Sequence, residues 1–211
     1  MSAPTRSRAR RKAERPAEIL DAAFEEFAAN GFAATRLEDV AKRAGVTKGT
    51  IYFYFQTKER VFEEMIRHIS QPRLAEFDHF IAALDGPFHA RLRSLIVFFY
   101  DRMAENHVAR EIVRLLISEG RRFPELVDRH YEEFIGPFLE RLREVVEAGI
   151  EAGEFRAAPS LDLIEVIFSP ALLMNLRPLL FGDRRPIDIG AYIDAHFDLL
   201  MNGLSPAPVA G

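Results

Sequence analysis

The sequence predicts an all-α protein of about nine to ten helices, with a three-helix, helix-turn-helix head at the N-terminus and a larger helical body behind it. Three observations carry this. Apolar residues recur at three- and four-residue spacing through nearly every segment, and no stretch alternates as a half-buried strand does. Two short helical patterns joined by a glycine turn follow a longer one, which is the helix-turn-helix arrangement. The charge is also divided. Residues 1–60 hold 12 Lys/Arg against 8 Asp/Glu, whereas the whole chain of 211 residues has a formal charge of −4. A basic end on an acidic body suits a localised anion-binding face.

The elements follow in order. Pro16 suits the first turn of a helix, where its missing N–H has no partner to lose. Ile19, Leu20, Ala23, Phe24 and Phe27 then form an apolar stripe, and Asn30-Gly31 ends it with a cheap left-handed turn. Thr35 followed by Glu38 reads as a capping box for a second helix, whose buried side is Leu37, Val40, Ala41 and Ala44. Gly45 stops that helix. Thr47 caps a third, carrying Ile51 and Phe55 on one face. Gln56-Thr57 breaks it, and Thr57 caps a longer helix from Lys58. Further helices are expected near 58–71, 73–84, 88–104, 107–119, 124–152, 160–181 and 187–203, punctuated by Pro72, Gly86-Pro87, Gly153 and Gly182.

Several classes are excluded or disfavoured. With no cysteine there is no disulfide framework or thiolate metal site. The basic opening MSAPTRSRARRKAERP has no apolar stretch behind it and is no secretory signal. Residues 161–181 are long enough to span a bilayer, but Asp162, Glu165, Arg177, Pro170 and Pro178 lie inside them, so they read as a buried helix with no membrane role. The six histidines form no HExxH pair, and there is no serine elbow or dinucleotide fingerprint. No enzyme, metal or cofactor is therefore expected.

The stretch AGVTKGTIYFYF, residues 44–55, carries the chemistry. It has three residues between its glycines, its lysine precedes the second glycine, and a helix rather than a strand comes before it, so it fails as a nucleotide phosphate loop. As the second helix of the pair it works better. Val46, Ile51 and Phe55 anchor it, leaving Thr47, Lys48, Gly49, Thr50, Tyr52 and Tyr54 facing outward as donors and small residues. Gly49 costs a helix roughly 1 kcal/mol relative to alanine; close approach of backbone to DNA is a reason to keep it.

Residues 16–66 resemble the DNA-binding domain of the tetracycline-repressor (TetR) family of bacterial transcriptional regulators. The matching segments are IL-AAFEEFAANGF, T-LEDVAKRAGVTKGTIYFYF and TKERVFEEM, spacings included. The resemblance implies phosphate contacts from Thr35, Arg36 and Lys58, and contacts to the major groove and its flanking phosphates from Thr47, Lys48, Gly49, Thr50 and Tyr52. Where Tyr54 stands the family commonly has histidine, and where Phe53 stands, tyrosine or histidine; Tyr54 keeps a donor and Phe53 does not. The resemblance further implies a C-terminal effector-binding and dimerisation domain. The organisation expected is a flexible basic arm at 1–15, the head at 16–62, the helical body at 63–204 and a disordered tail at 205–211. Large apolar residues that would enclose the body's centre are Phe98, Phe99, Met103, Phe134, Phe138, Phe168, Leu172 and Met174, with Arg114 and Asn175 as polar contacts, so a mainly apolar effector is expected. A two-helix face with Leu163, Ile167, Leu179, Ile193, Phe197 and Leu200 would pair with its copy. The whole then reads as a cytoplasmic homodimer that binds a near-palindromic operator in double-stranded DNA and is released by a small molecule. The alternative is a DNA-binding regulator controlled through a protein partner instead.

Overall fold

The computed structural model describes the backbone over residues 4–104, 107–157 and 164–206, and side chains over 14–102, 107–157, 164–182 and 184–206. Among the described residues ten α-helices follow one another: α1 Pro4–Ala34, α2 Leu37–Arg43, α3 Lys48–Phe55, α4 Lys58–Ala82, α5 Phe88–Ala104, α6 His107–Glu119, α7 Pro124–His130, α8 Gly136–Glu151, α9 Glu165–Phe181 and α10 Ile189–Leu204. Among the described residues there is no strand, as the all-α reading requires.

Three departures from the expected boundaries fall at prolines, and α1 also runs past its expected end to Ala34, with a kink at Gly31. Pro16 lies inside α1 rather than in its first turn, because the backbone is helical from Pro4. The upstream stretch is rich in arginine and alanine, strong helix formers, and a proline removes only one ladder bond. Pro72 likewise sits within a continuous α4 instead of separating two helices. The segment expected as one helix over 124–152 is interrupted by a π-turn at Tyr131–Ile135, and α8 restarts with Pro137 in its first turn. Pro137 cannot donate to the carbonyl four residues back and its ring crowds it, so the chain widens just upstream.

The chain forms two compact units, one of Met1–Ala75 with Leu115–His130 and one of Glu76–Arg114 with Tyr131–Gly211. In the first, Ile19, Phe27, Val40, Ile51, Val61 and Phe62 are fully buried. Phe27, Phe32, Phe62 and Phe123 make a ring cluster with centroids 4.8–5.8 Å apart between contacting pairs. Removing one such ring to alanine costs on the order of 3–5 kcal/mol. In the second unit α5 is central and packs against α8, α9 and α10. Leu92, Leu95, Ile96, Phe99 and Tyr100 of α5 are its buried spine.

Candidate nucleic-acid interface

The head is built to present α3. Gly45 adopts φ +64°, the left-handed conformation that glycine tolerates, and the Val46 N–H closes the turn on the Ala41 carbonyl at 2.9 Å. Thr47 is the N-cap of α3: its hydroxyl accepts from the Thr50 N–H at 3.2 Å. Ile51 and Phe55 are buried, pinning one face. On the other side Thr47, Lys48, Gly49 and Tyr52 are exposed and Thr50 and Tyr54 half-buried, so the six residues singled out in the sequence share one short helix and its cap. Thr57 caps α4 as expected, accepting from the Arg60 N–H at 3.0 Å.

Lys48 is not free. Its ammonium donates to Glu38 of α2 at 2.6 Å and lies 5.5 Å from the Tyr52 ring centre. The hydrogen bond holds the Glu38 carboxyl below its ordinary range and lifts the lysine above its own. Both groups stay charged, and Lys48 links the two helices of the motif.

Around α3 the three phosphate candidates fall differently. Thr35 does not cap α2, which starts at Leu37 with Arg36 as a cap lacking any side-chain bond. The Thr35 hydroxyl is buried, at 2.7 Å from the Gly31 carbonyl and 3.0 Å from that of Glu26, and so closes the end of α1 instead. Arg36 is exposed beside it. Lys58 is folded inward: Nζ lies 4.5 Å from the Phe32 ring centre and donates to the Ala33 carbonyl at 3.3 Å. Burial is the main cause that lowers its pKa. A residue the sequence passed over is Phe53, 72% exposed on α3; its lack of a polar group hid it, but an exposed ring can also meet a thymine methyl.

In the second unit the aromatic candidates converge. Phe98, Phe99, Phe138 and Phe168 join Phe77 and Phe80, with centroids 4.3–5.8 Å apart along the Phe80–Phe98–Phe77–Phe138–Phe168 chain. Met174 and Asn175 are on the buried face of α9, while Phe134, Leu172 and Arg114 are half-buried, Arg114 being paired with Glu111 at 2.6 Å. The Met103 side chain lies outside the described residues. A groove of about 450 Å³ opens beside the cluster, lined by Phe80, Arg93, Val97, Phe98 and Asp101 among others. Of the pairing-face candidates, Leu163 lies outside the described residues. Ile167 and Ile193 are buried in this chain's own core, and Phe197 and Leu200 pack partly against it. Leu179 is exposed, and it neighbours a stripe that the sequence reading did not pick out: Val166, Leu173 and Leu180, at 51, 48 and 61% exposure. Among the described residues no helix is long and apolar enough to cross a membrane.

Comparison with known proteins converges with this geometry. Residues 19–65 match the model of the bacterial regulatory proteins of the tetR family, and residues 83–188 that of the tetracyclin repressor-like C-terminal domain. The chain is 30% identical over 158 residues to the HTH-type transcriptional repressor KstR2 of Rhodococcus jostii, covering 72% of this chain and 73% of that one. It is 27% identical over 154 residues to KstR2 of Mycobacterium tuberculosis, covering 71% and 74%. The regulator FadR of Bacillus subtilis, solved with stearoyl-CoA, superposes with a TM-score of 0.71 at 23% identity, covering 89% of this chain and 98% of that one, and so has the same fold.

Proposed function

The chain belongs to the TetR family of bacterial regulatory proteins and is a DNA-binding transcriptional regulator; from that premise we propose that it is a repressor released from a near-palindromic operator by a mainly apolar effector. The single observation that supports operator reading best is α3 itself. It is pinned by Ile51 and Phe55, capped by Thr47, and exposed along Thr47, Lys48, Gly49 and Tyr52. In this reading Lys48 and Thr50 meet base edges, while Arg36 and Lys58 meet phosphates, which position the helix without reading sequence. Thr35 acts indirectly, by closing α1 beneath Arg36.

The effector reading draws on the six-phenylalanine cluster of the second unit, which offers aromatic and aliphatic surface and little charge. FadR was solved with stearoyl-CoA, so a long-chain acyl thioester is the first probe. The protein acts as a homodimer in the cytoplasm, with two heads on two half-sites. It performs no chemistry of its own.

Selection of bound duplexes from random DNA tests the reading directly. The expected product is a two-fold-related sequence whose affinity falls when stearoyl-CoA or another apolar effector is added. By linkage, the operator must weaken effector binding by the same factor. Recovery of no preferred sequence would sink the operator reading; identical effector affinity with and without operator would sink the release mechanism.

A further inference from the structure

The turn between α6 and α7 carries an arginine that the helix-turn-helix does not account for. Arg122 lies with its guanidinium carbon 4.7 Å from the centre of the Phe32 ring, the same ring that Lys58 approaches to 4.5 Å. The turn is rigidly made. The Arg122 and Phe123 N–H groups both donate to the Glu119 carbonyl, at 2.8 and 3.0 Å. Gly120 is required there, because a Cβ at that position would stand 2.5 Å from the Leu116 carbonyl oxygen. Phe123 then anchors the turn between Phe32 and Phe62, 4.8 and 5.4 Å away. Arg122 is exposed and Lys58 half-exposed.

Two cations thus share one ring. Glu59 and Glu119 act on Lys58 through space and raise its pKa, and Arg122 opposes its charge. The ring itself is buried while the two cations reach solvent, and two like charges held at one ring repel each other. A bound anion would relieve that repulsion, and a guanidinium and an ammonium are both donors suited to phosphate.

We propose that Arg122 is a DNA-backbone contact supplied from outside the helix-turn-helix, forming with Lys58 a two-cation cradle for one phosphate of the operator. This rests on the operator reading above. In sequence, exposed Arg36 follows Ala33, the carbonyl partner of Lys58, by three residues. Phosphate contact would draw Lys58 off that carbonyl while Phe32 and the α6–α7 turn hold both stems in place.

The test uses the full chain and a duplex recovered by selection, with binding measured across a salt series. Arg122→Ala is expected to lower affinity about tenfold at low salt, the loss of one charge-assisted contact. It should also reduce the magnitude of the slope of log K against log salt by roughly 1, and leave base preference unchanged. Arg122→Lys should keep most of that slope. Arg122→Gln, which keeps the stem on Phe32 and loses only the charge, should behave as Arg122→Ala does; it carries the test if the alanine variant melts early. A variant with weakened binding but an unchanged salt slope, or with unchanged binding, overturns the cradle and leaves Arg122 as packing alone. Wild-type protein that binds no duplex overturns the operator reading with it.

Discussion

Lys48 is the residue where the structure and the proposed role pull apart. It is tied to Glu38 at 2.6 Å, and both groups are solvent-exposed. To reach a base or phosphate, the ammonium must leave the carboxylate, which itself repels the DNA backbone. Glu38→Gln is therefore expected to raise affinity for all duplexes roughly two- to fivefold at low salt, the range of an exposed ion pair, with the gain shrinking as salt screens it. Weaker binding in a fluorescence-anisotropy titration would mean that Glu38 aims Lys48 rather than competing for it. A second residue with a measurable signature is His196, buried in the second unit with Nδ1 3.0 Å from the Tyr100 hydroxyl and, among the described residues, no hydrogen-bond partner for Nε2. Burial pushes its pKa below the ordinary value and that of Tyr100 well above. The unfolded chain then takes the proton first as pH falls. Stability is complete above about pH 6.5, the ordinary histidine value, and is lost as pH drops toward the lower folded value. The melting temperature should fall between about pH 7 and pH 5, and His196→Gln should flatten that fall; an unchanged slope would assign it to another group. The same scale sets a limit on reading sequence. Thr47 and Thr57 cap as their positions imply, but Thr35 does not, because a buried hydroxyl near the end of α1 has two carbonyls closer to hand than the first turn of α2.

At the scale of elements, Gly49 of α3 and Gly149 of α8 stand in their helices for opposite reasons. In α3 a Cβ on Gly49 would meet only the Thr47 hydroxyl oxygen, at 3.8 Å. Nothing inside the protein needs that glycine, so Gly49→Ala should stabilise the folded head by up to about 1 kcal/mol. If the backbone there closes on DNA, the same change should weaken operator binding. Chemical denaturation and DNA titration of one variant check both halves; a more stable protein with unaltered binding would move the close approach elsewhere. In α8 a Cβ on Gly149 would stand 2.3 Å from the Phe155 ring and 3.1 Å from the Phe88 Cβ. Gly149→Ala should therefore destabilise by about 1–3 kcal/mol through overpacking. From sequence the two positions look alike, since the ring that crowds Gly149 returns through a turn. The prolines were deceptive in the same way. Pro72 and Pro16 sit where neighbouring helix formers continue the ladder past them, whereas Pro137 reshapes the chain upstream into a π-turn.

At the scale of the whole molecule, the head was legible because its pattern is local: caps, glycine turns and anchoring apolar residues lie within a few positions of one another. The pairing face was not, because the apolar positions of α9 surround the helix and periodicity does not tell which side is covered by its own chain. Ile167, Ala171 and Met174 take the core. That leaves Val166, Leu173 and Leu180, spaced by seven, as a narrow exposed stripe that drifts by only ~20° per seven residues. Three large apolar side chains in a row on solvent are costly, and a two-fold axis at Leu173 would bury the stripe against its copy, Val166 facing Leu180. Leu173 is the middle of the three, so Leu173→Glu places two like charges near the proposed axis while sparing the core positions. The variant is expected to sediment as a monomer at concentrations where the wild type is a dimer, with an unchanged helical signal. Because operator affinity in a dimer comes from two heads on one duplex, the monomer should retain only half-site binding and lose dependence on half-site spacing. A Leu173→Glu protein that remains dimeric would place the two-fold axis on another surface, with the exposed Leu199 of α10 as the next position to charge.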